Sequence, residues 1–437
     1  MIAVDVAVVG AGPAGIAAAV SAREAGASVV VIDRYPAIGG QIWKRPLGAP
    51  PESLPAAARR WATRLADSGA QLLLDTSVWG VRDGHTLLTE RADGAPGAVR
   101  SAAIVLATGA HDRPVAFPGW TLPGVMTAGA AQTLVNAQQV LPGRRVLLAG
   151  AGPFLLPVAR ALKAAGAEVV AVAEATQRRR WAGAGPRMVR HPRHLVEYAA
   201  YRARLAAVPF LWGHVLVRAD GPGRVERATL ARADAAWRPE PGSERTFEVD
   251  ALCTAYGFLP ALELGRALGC ELDGDALAHD AAMRTSVPHV FAAGEAAGVG
   301  GAQLALAEGA VAGREAAGAG VPAGLARRRR RAGHFAAVLD DLFRPGPGLA
   351  ELPDADTVLC RCEDVTAAAV DRAVADGAGS LTAVKLATRC GQGPCQGRMC
   401  ERIVAARLPS AGRFSSRAPV RPVAVATLID DVTANRS

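Results

Sequence analysis

The sequence predicts an α/β protein of more than one domain that ends in a small helical domain. Three observations carry that prediction. A strand, a glycine-rich turn, a helix and a second strand ending in an acid occur at the N-terminus and again from about residue 145. Half of the residues are hydrophobic, chiefly Ala, Val and Leu, and 48 are glycine, which suits short turns and close helix–strand packing. Five of the seven cysteines crowd between positions 360 and 400, flanking a stretch with helical periodicity. With 437 residues the chain is also too long for a single hydrophobic core.

The first element is VDVAVVGAGPAGIAAAVSAREAGASVVVID. A short apolar strand leads into Gly10, Gly12 and Gly15, with Pro13 and Ala14 opening an Ala-rich helix. Gly10 allows the tight turn, Gly12 lets a pyrophosphate approach the backbone, and Gly15 lets the helix pack on the strand. The helix N-terminus offers unpaired N–H groups to phosphate. Asp33, at the tip of the second strand and followed by Arg34, stands where a ribose hydroxyl is bound. This is a dinucleotide-binding, Rossmann-like pattern. Three later segments resemble parts of two-dinucleotide-domain flavoproteins and turn the expectation towards FAD. Gly39 and Gly40, with Gln41, resemble the loop that runs along the FAD pyrophosphate. Ala107-Thr108-Gly109 resembles the motif by which the chain leaves the first domain. In VFAAGEAAGVGGAQ, Gly294 and Glu295 resemble the second FAD motif, with Glu where Asp is usual. A helix beginning near Gly300 to Gln303 then aims its N-terminus at the flavin ring.

The second element is RRVLLAGAGPFLLPVARALKAAGAEVVAVAEA. Gly150 and Gly152 repeat the turn, Leu155 replaces the third glycine, and Glu174 ends the second strand. A working NAD site, a pocket for an adenine nucleotide, and an empty retained fold all remain open. No cysteine pair follows the Gly39-Gly40 loop or stands in VMTAGAAQTL, which excludes a disulfide reductase. Cys253 and Cys270 are isolated and read as small buried apolar residues.

In the C-terminal region Cys360-x-Cys362 precedes Cys390-x4-Cys395-x4-Cys400. Zinc ribbons use CxxC knuckles at short intervals, so this spacing points away from zinc. Four thiolates on glycine-rich loops suit a [2Fe–2S] cluster. The intervening DVTAAAVDRAVADGAGSLTAVKLAT predicts a helix, a turn at Asp376 to Gly379, and a second helix. The segments CRCEDVT and GPCQGRMC resemble the bacterioferritin-associated-ferredoxin-like [2Fe–2S] domain. That resemblance implies Cys360, Cys362, Cys395 and Cys400 as ligands, leaving Cys390 as the spare, a cap or packing residue.

Nearly the whole chain resembles the FAD- and [2Fe–2S]-bearing subunit of bacterial multi-subunit amino-acid dehydrogenases and oxidases, the hydroxyproline dehydrogenase, opine oxidase and hydrogen cyanide synthase type. PVAFPGWTLPGVMTAGAAQ and the cysteine loop carry the distinctive match. The resemblance implies two domains of the pyridine nucleotide-disulfide oxidoreductase type plus the cluster domain. It also implies, as partners, a D-amino-acid-oxidase-like FAD subunit, a small ferredoxin-like subunit beside it, and a quinone or carrier that accepts the electrons. A self-contained NAD(P)H-dependent ferredoxin or rubredoxin reductase is the alternative, and a non-catalytic scaffold is a third reading. His111, in ATGAHDRP, is the one candidate proton handler, with a packing role as its plainer alternative; Arg113 is a flavin neighbour or an interdomain ion pair.

The expected domains are residues 1–120 with 250–320 for FAD, 121–249 for the second fold, 321–355 for a helix and linker, 356–405 for the cluster, and 406–437 for an extended tail. The net charge of +9 is spread without interleaved aromatics, so nucleic acid is not expected as a partner. The run Arg327 to Arg331 reads as a solvated helix face, with a docking patch for a partner as the alternative. With no signal peptide and no apolar segment of about 20 residues, a cytoplasmic protein is expected, reaching the inner membrane only through a partner.

Overall fold

The computed structural model describes residues 1–46, 48–408, 412–414 and 417–434. The chain forms two compact units: Met1–His111 with Leu259–Ala337 and the described residues after 415, and Asp112–Phe258 with the described residues of 338–415.

In the first unit, strand Ile2–Val9 pairs in parallel with Val29–Ile32 on one side and Pro96–Leu106 on the other. Gln71–Leu73 and Val290–Ala292 add further parallel strands, and the hairpin Thr76–Arg82 and Thr86–Arg91 adds antiparallel ones. The runs Val6–Val9 and Val29–Ile32 are buried throughout, as strands covered on both faces must be. Helix Pro13–Glu24 buries nine consecutive small or apolar residues, Ala14 to Ala22. It lies against helix Gly301–Ala316 so closely that a Cβ at Gly309 would stand 2.0 Å from the Ala14 carbonyl oxygen, and one at Gly313 would stand 2.1 Å from that of Ala18.

In the second unit, a parallel sheet runs in the order Phe210–Trp212, Glu168–Glu174, Arg145–Gly150, Ala251–Ala255, Val125–Thr127. A three-stranded antiparallel sheet, His214–Asp220, Arg227–Arg232 and Arg245–Glu248, accompanies it. The cysteine region forms the hairpin Val358–Cys360 and Val365–Thr366, then helices Ala367–Ala375 and Leu381–Thr388. The Thr366 and Ser380 side chains accept from the Ala369 and Ala383 amides at the two helix starts. The helix–turn–helix expected from sequence is therefore present.

Three segments are tied to partners distant in sequence. The segment after Arg344 is no free linker: Pro347–Glu351 forms a 3₁₀ turn, Leu349 is buried, and Glu351 takes a bidentate grip from Arg238. Cys360, Leu359 and Cys400 share one core with Phe117, Trp120 and Leu216, so the cysteine region and the second dinucleotide fold are one body. The tail is not simply extended. Its helix Val425–Ala434 is tied to the first unit by Glu90, which accepts from the Ala424 amide at 2.9 Å and the Thr427 hydroxyl at 2.7 Å. Short local patterns mark linkers by composition, but docking is decided by distant partners.

The helix contact in the first unit leaves no room for a methyl group. Gly309→Ala should lower stability by about 1–3 kcal/mol and reduce flavin content. Gly183→Ala, in a helix with nothing within 4 Å of the added Cβ, should leave stability unchanged or raise it by up to ~1 kcal/mol. Denaturation of the two variants side by side checks the difference.

Candidate functional site

The first glycine turn is built by exclusion. Gly10 has φ +110°, and a Cβ there would stand 2.2 Å from the Ala107 carbonyl oxygen; one at Gly15 would stand 1.7 Å from that of Gly10. Helix Pro13–Glu24 starts with Gly12 as its N-cap and with no side chain on its first amides, leaving them available to an anion. The Gly39-Gly40 loop lies on this turn: the Gly39 amide donates to the Ala11 carbonyl at 2.8 Å, and a Cβ at Gly40 (φ +60°) would be 2.9 Å from Gly12 Cα. The Asp33 carboxylate accepts from the amides of Ala11 (2.6 Å) and Tyr35 (2.9 Å). Burial pushes its carboxyl upward against those hydrogen bonds, although the residue keeps partial exposure. Arg34 is exposed and donates to the Tyr35 hydroxyl at 2.7 Å, while Gln41 accepts from Lys44 at 2.7 Å.

Ala107 continues the sheet by donating to Val9, and the next two residues tie to residue 261. The Thr108 hydroxyl donates to the Ala261 carbonyl at 2.7 Å, and the Ala261 amide donates to Gly109 at 2.9 Å. Gly294 adopts φ +67° with a virtual Cβ 2.6 Å from that of Ala14. The second FAD motif is thus brought against the first turn. Glu295 turns back on its own chain, accepting from the amides of Gly300 (3.4 Å) and Gly301 (2.8 Å). Its carboxyl is raised by burial. Gln303 is exposed in the first turn of the following helix. Such a glycine cradle, with free helix amides and a half-open acid, fits a dinucleotide.

Sequence reasoning missed Glu308. Only 5% exposed, it accepts from the Gly294 amide at 3.1 Å and lies 3.9 Å from the Arg329 guanidinium. Burial pushes its pKa up to about 7, opposed by Arg329. Arg329 is therefore the member of the arginine run that turns inward, while Arg327, Arg328, Arg330 and Arg331 are exposed. Its inward turn could not be told from its neighbours by composition.

In the second fold, Glu174 repeats the role of Asp33 at the same 22-residue spacing, accepting from the amides of Gly152 (3.0 Å) and Thr176 (2.9 Å). Unlike Asp33 it is closed off, at 2% exposure, and burial drives its pKa up to about 7. Gly150 abuts the Ala255 carbonyl, Gly152 (φ +102°) faces the Phe343 ring, and Leu155 is fully buried in the core beneath the turn. His111 is half-buried in the short strand Ala110–Asp112. Arg113 donates its amide to Gly257. Cys253 and Cys270 are buried, as expected of apolar residues.

The cysteines converge. The sulfurs of Cys360, Cys390 and Cys400 lie within 4.8 Å of one another, all buried. The half-buried Cys362 and Cys395 hydrogen-bond to each other. Hydrogen bonds from the Cys390 and Cys400 thiols, with the Gly391 and Glu363 amides, hold Cys360 far below the ordinary thiol range. The same contacts push Cys390 up to about 12 and Cys400 higher still. Gly391 (φ +82°) and Gly397 (φ +85°) are seated on the buried Phe414 ring, and a Cβ at Gly393 would be 2.3 Å from that of Cys362. Glycine is thus required for the loop to close around the sulfurs. The soft, tetrahedral-capable thiolate set fits an iron–sulfur cluster. Cys390, the expected spare, is fully buried and its sulfur lies among the others.

Residues 4–313 match the pyridine nucleotide-disulphide oxidoreductase family, and residues 358–408 match the BFD-like [2Fe-2S] binding domain. The HcnB subunit of hydrogen cyanide synthase from Pseudomonas aeruginosa is 34% identical over 95% of this chain and 96% of its own length. An opine oxidase subunit of Rhizobium meliloti is 34% identical over 98% of each. The alpha subunit of sarcosine oxidase from a Corynebacterium species is 32% identical over 72% of this chain and 32% of that protein. Among solved structures, L-proline dehydrogenase from P. horikoshii shares the fold, with a TM-score of 0.68 at 21% identity, covering 98% of this chain and 79% of that one. No helix among the described residues is long and apolar enough to cross a membrane.

The buried Glu174 makes stability depend on pH. Below about pH 4.5 its carboxyl is protonated in both the folded and unfolded chain; between there and about 7 only the folded chain holds the proton. Its contribution is therefore lost as pH rises through about 7, a decline on the order of 3 kcal/mol. Relative to wild type, Glu174→Gln should be destabilised most at the acid end, with the gap narrowing towards neutral pH. A gap in denaturation midpoint that stays constant from pH 4.5 to 7.5 would contradict this.

Proposed function

The chain belongs to the pyridine nucleotide-disulphide oxidoreductase family, an FAD-dependent oxidoreductase ending in a BFD-like [2Fe-2S] domain, and we propose that it is the electron-transfer subunit of an amino-acid or amine dehydrogenase complex. The observation that carries this reading is one chain holding both a dinucleotide cradle at Gly10, Gly12 and Gly40 and a cluster of three sulfurs within 4.8 Å of one another, with Cys362 and Cys395 as a hydrogen-bonded pair. FAD supplies two-electron chemistry and a [2Fe–2S] cluster one-electron chemistry, so a chain with both can split electron pairs from an amine oxidised elsewhere. Relatives that are subunits of hydrogen cyanide synthase, opine oxidase and sarcosine oxidase support a complex of this type.

Within that reading, Gly10, Gly12, Pro13, Ala14, Gly15 and Gly40 hold the pyrophosphate on the helix amides. Asp33 binds the adenosine ribose, with Arg34 and Gln41 at the rim. Ala107, Thr108, Gly109, Gly294, Glu295 and Gln303 border the ribityl and flavin end. Cys360, Cys362, Cys395 and Cys400 are the thiolate ligands. Within this reading amine oxidation is assigned to a D-amino-acid-oxidase-like FAD subunit. A small ferredoxin-like subunit, together with a quinone or carrier, completes the chain of transfer. The buried Glu174, spent on two amides of its own fold, argues against a nicotinamide as the electron source.

The protein purified anaerobically should show flavin bands with broad absorbance beyond them and iron equal to sulfide at two per chain. Its flavin should stay oxidised with NADH and bleach when the amine is added with the partner that oxidises it. NADH bleaching would establish a self-contained reductase instead, and bleaching by neither would establish a scaffold. Cys360→Ala should lose the iron and keep the FAD, read by metal analysis and flavin release.

A further inference from the structure

The five thiols are arranged as a pair and a triad, and the triad offers one sulfur more than its position can use. Tetrahedral coordination with metal–sulfur bonds near 2.3 Å sets two thiolates on one metal about 3.8 Å apart. Cys362 and Cys395, in hydrogen-bonding contact, are one such pair. Cys360, Cys390 and Cys400, mutually within 4.8 Å, contain three possible pairs. Cys360 is the fixed member, because the amides of Gly391 and Glu363 donate to its sulfur and both of the other thiols point to it. Cys390 and Cys400 therefore compete for a single remaining place.

Resting on the cluster reading above, we propose that Cys390 is a ligand-competent fifth thiol, interchangeable with Cys400 as the partner of Cys360. Three features support the exchange. Cys390 is fully buried, so no solvent reorganisation opposes its approach. It follows Arg389, whose left-handed backbone (φ 66°) ends helix Leu381–Thr388 and turns the chain towards Cys360. The next residue is Gly391, whose amide already serves the Cys360 sulfur. Occupation by Cys390 forms one sulfur–iron bond where Cys400 releases one. The proton of the Cys390 thiol passes to the released Cys400 sulfur, and no electron is transferred.

The test compares variants of the full chain purified anaerobically, read by iron and sulfide content and by the electron paramagnetic resonance spectrum of the reduced sample. Cys400→Ala and Cys390→Ala should each retain about two irons per chain, the former with shifted g-values. The double variant should fall to less than a tenth of the wild-type iron. Cys362→Ala, which has no substitute thiol, should lose iron alone. Retention of FAD together with an unchanged circular dichroism spectrum and denaturation midpoint shows that both units of each variant are folded. Complete iron loss in Cys400→Ala with FAD retained would overturn the proposal, and so would retention in Cys362→Ala or in the double variant. Wild-type protein without iron would instead overturn the cluster reading itself.

Discussion

The architecture of the first unit depends on one contact: two helices that meet with no side chains between them. Gly309 and Gly313 let helix Gly301–Ala316 rest on the carbonyls of Ala14 and Ala18. That approach places Gly294, which precedes the helix, against Ala14 at the start of the other helix. Two segments almost 300 residues apart thereby become one cradle. Dispersion between close-packed backbones is weak per atom but falls steeply with separation, so a single methyl group inserted here spreads both walls of the site. Glu308, one residue before Gly309, fastens the same junction by accepting from the Gly294 amide, with its charge answered by Arg329.

Carboxylates do similar structural work at three other places. Asp33 and Glu174 each hold the amide of a glycine turn and the amide two residues beyond themselves, and Glu295 holds the amides that open the following helix. Each hydrogen bond satisfies a backbone donor that would otherwise be orphaned. The difference lies in what is left over. Asp33 keeps partial exposure, whereas Glu174 is sealed. A longer acid at the end of the second strand has reached inward. Both dinucleotide folds thus retain the same internal bracing, and they differ in how far that bracing is exposed.

This distinction explains how much is legible in the sequence. The two turns, the strand–helix alternation, the helical hairpin between Cys362 and Cys390 and the burial of Cys253 can be read because each is decided within about thirty residues, by periodicity, glycine placement and capping. Residues whose role is set by distant partners cannot. Glu308 reads as an ordinary helix acid, Arg329 is one arginine in a run, and Phe414 is an isolated aromatic whose ring fills the space left by Gly391 and Gly397. Cys390 reads as a packing residue from its place at a helix end, but a left-handed residue before it redirects the chain into the sulfur group. The signal for Gly309 and Gly313 is present as two glycines four apart on one helix face, a spacing that permits close backbone approach.

The block FPGWTLPG owes its character to the cysteine region. Phe117 and Trp120 are buried in the core that also contains Leu359, Cys360 and Cys400. The Trp120 indole donates to the Val358 carbonyl at 2.6 Å, two residues before the first thiol, and the Arg361 guanidinium covers the same ring. Gly119 is required because a Cβ there would stand 1.9 Å from the Ala219 carbonyl oxygen. An indole N–H left without a partner in this core would cost about 1–3 kcal/mol, so the tryptophan and the strand bearing Cys360 fix one another. The thiols are consequently held from two directions, by their own glycine loops and by the dinucleotide fold beneath them. A metal site built this way is positioned by the whole unit, as a group that must exchange electrons at a fixed place requires.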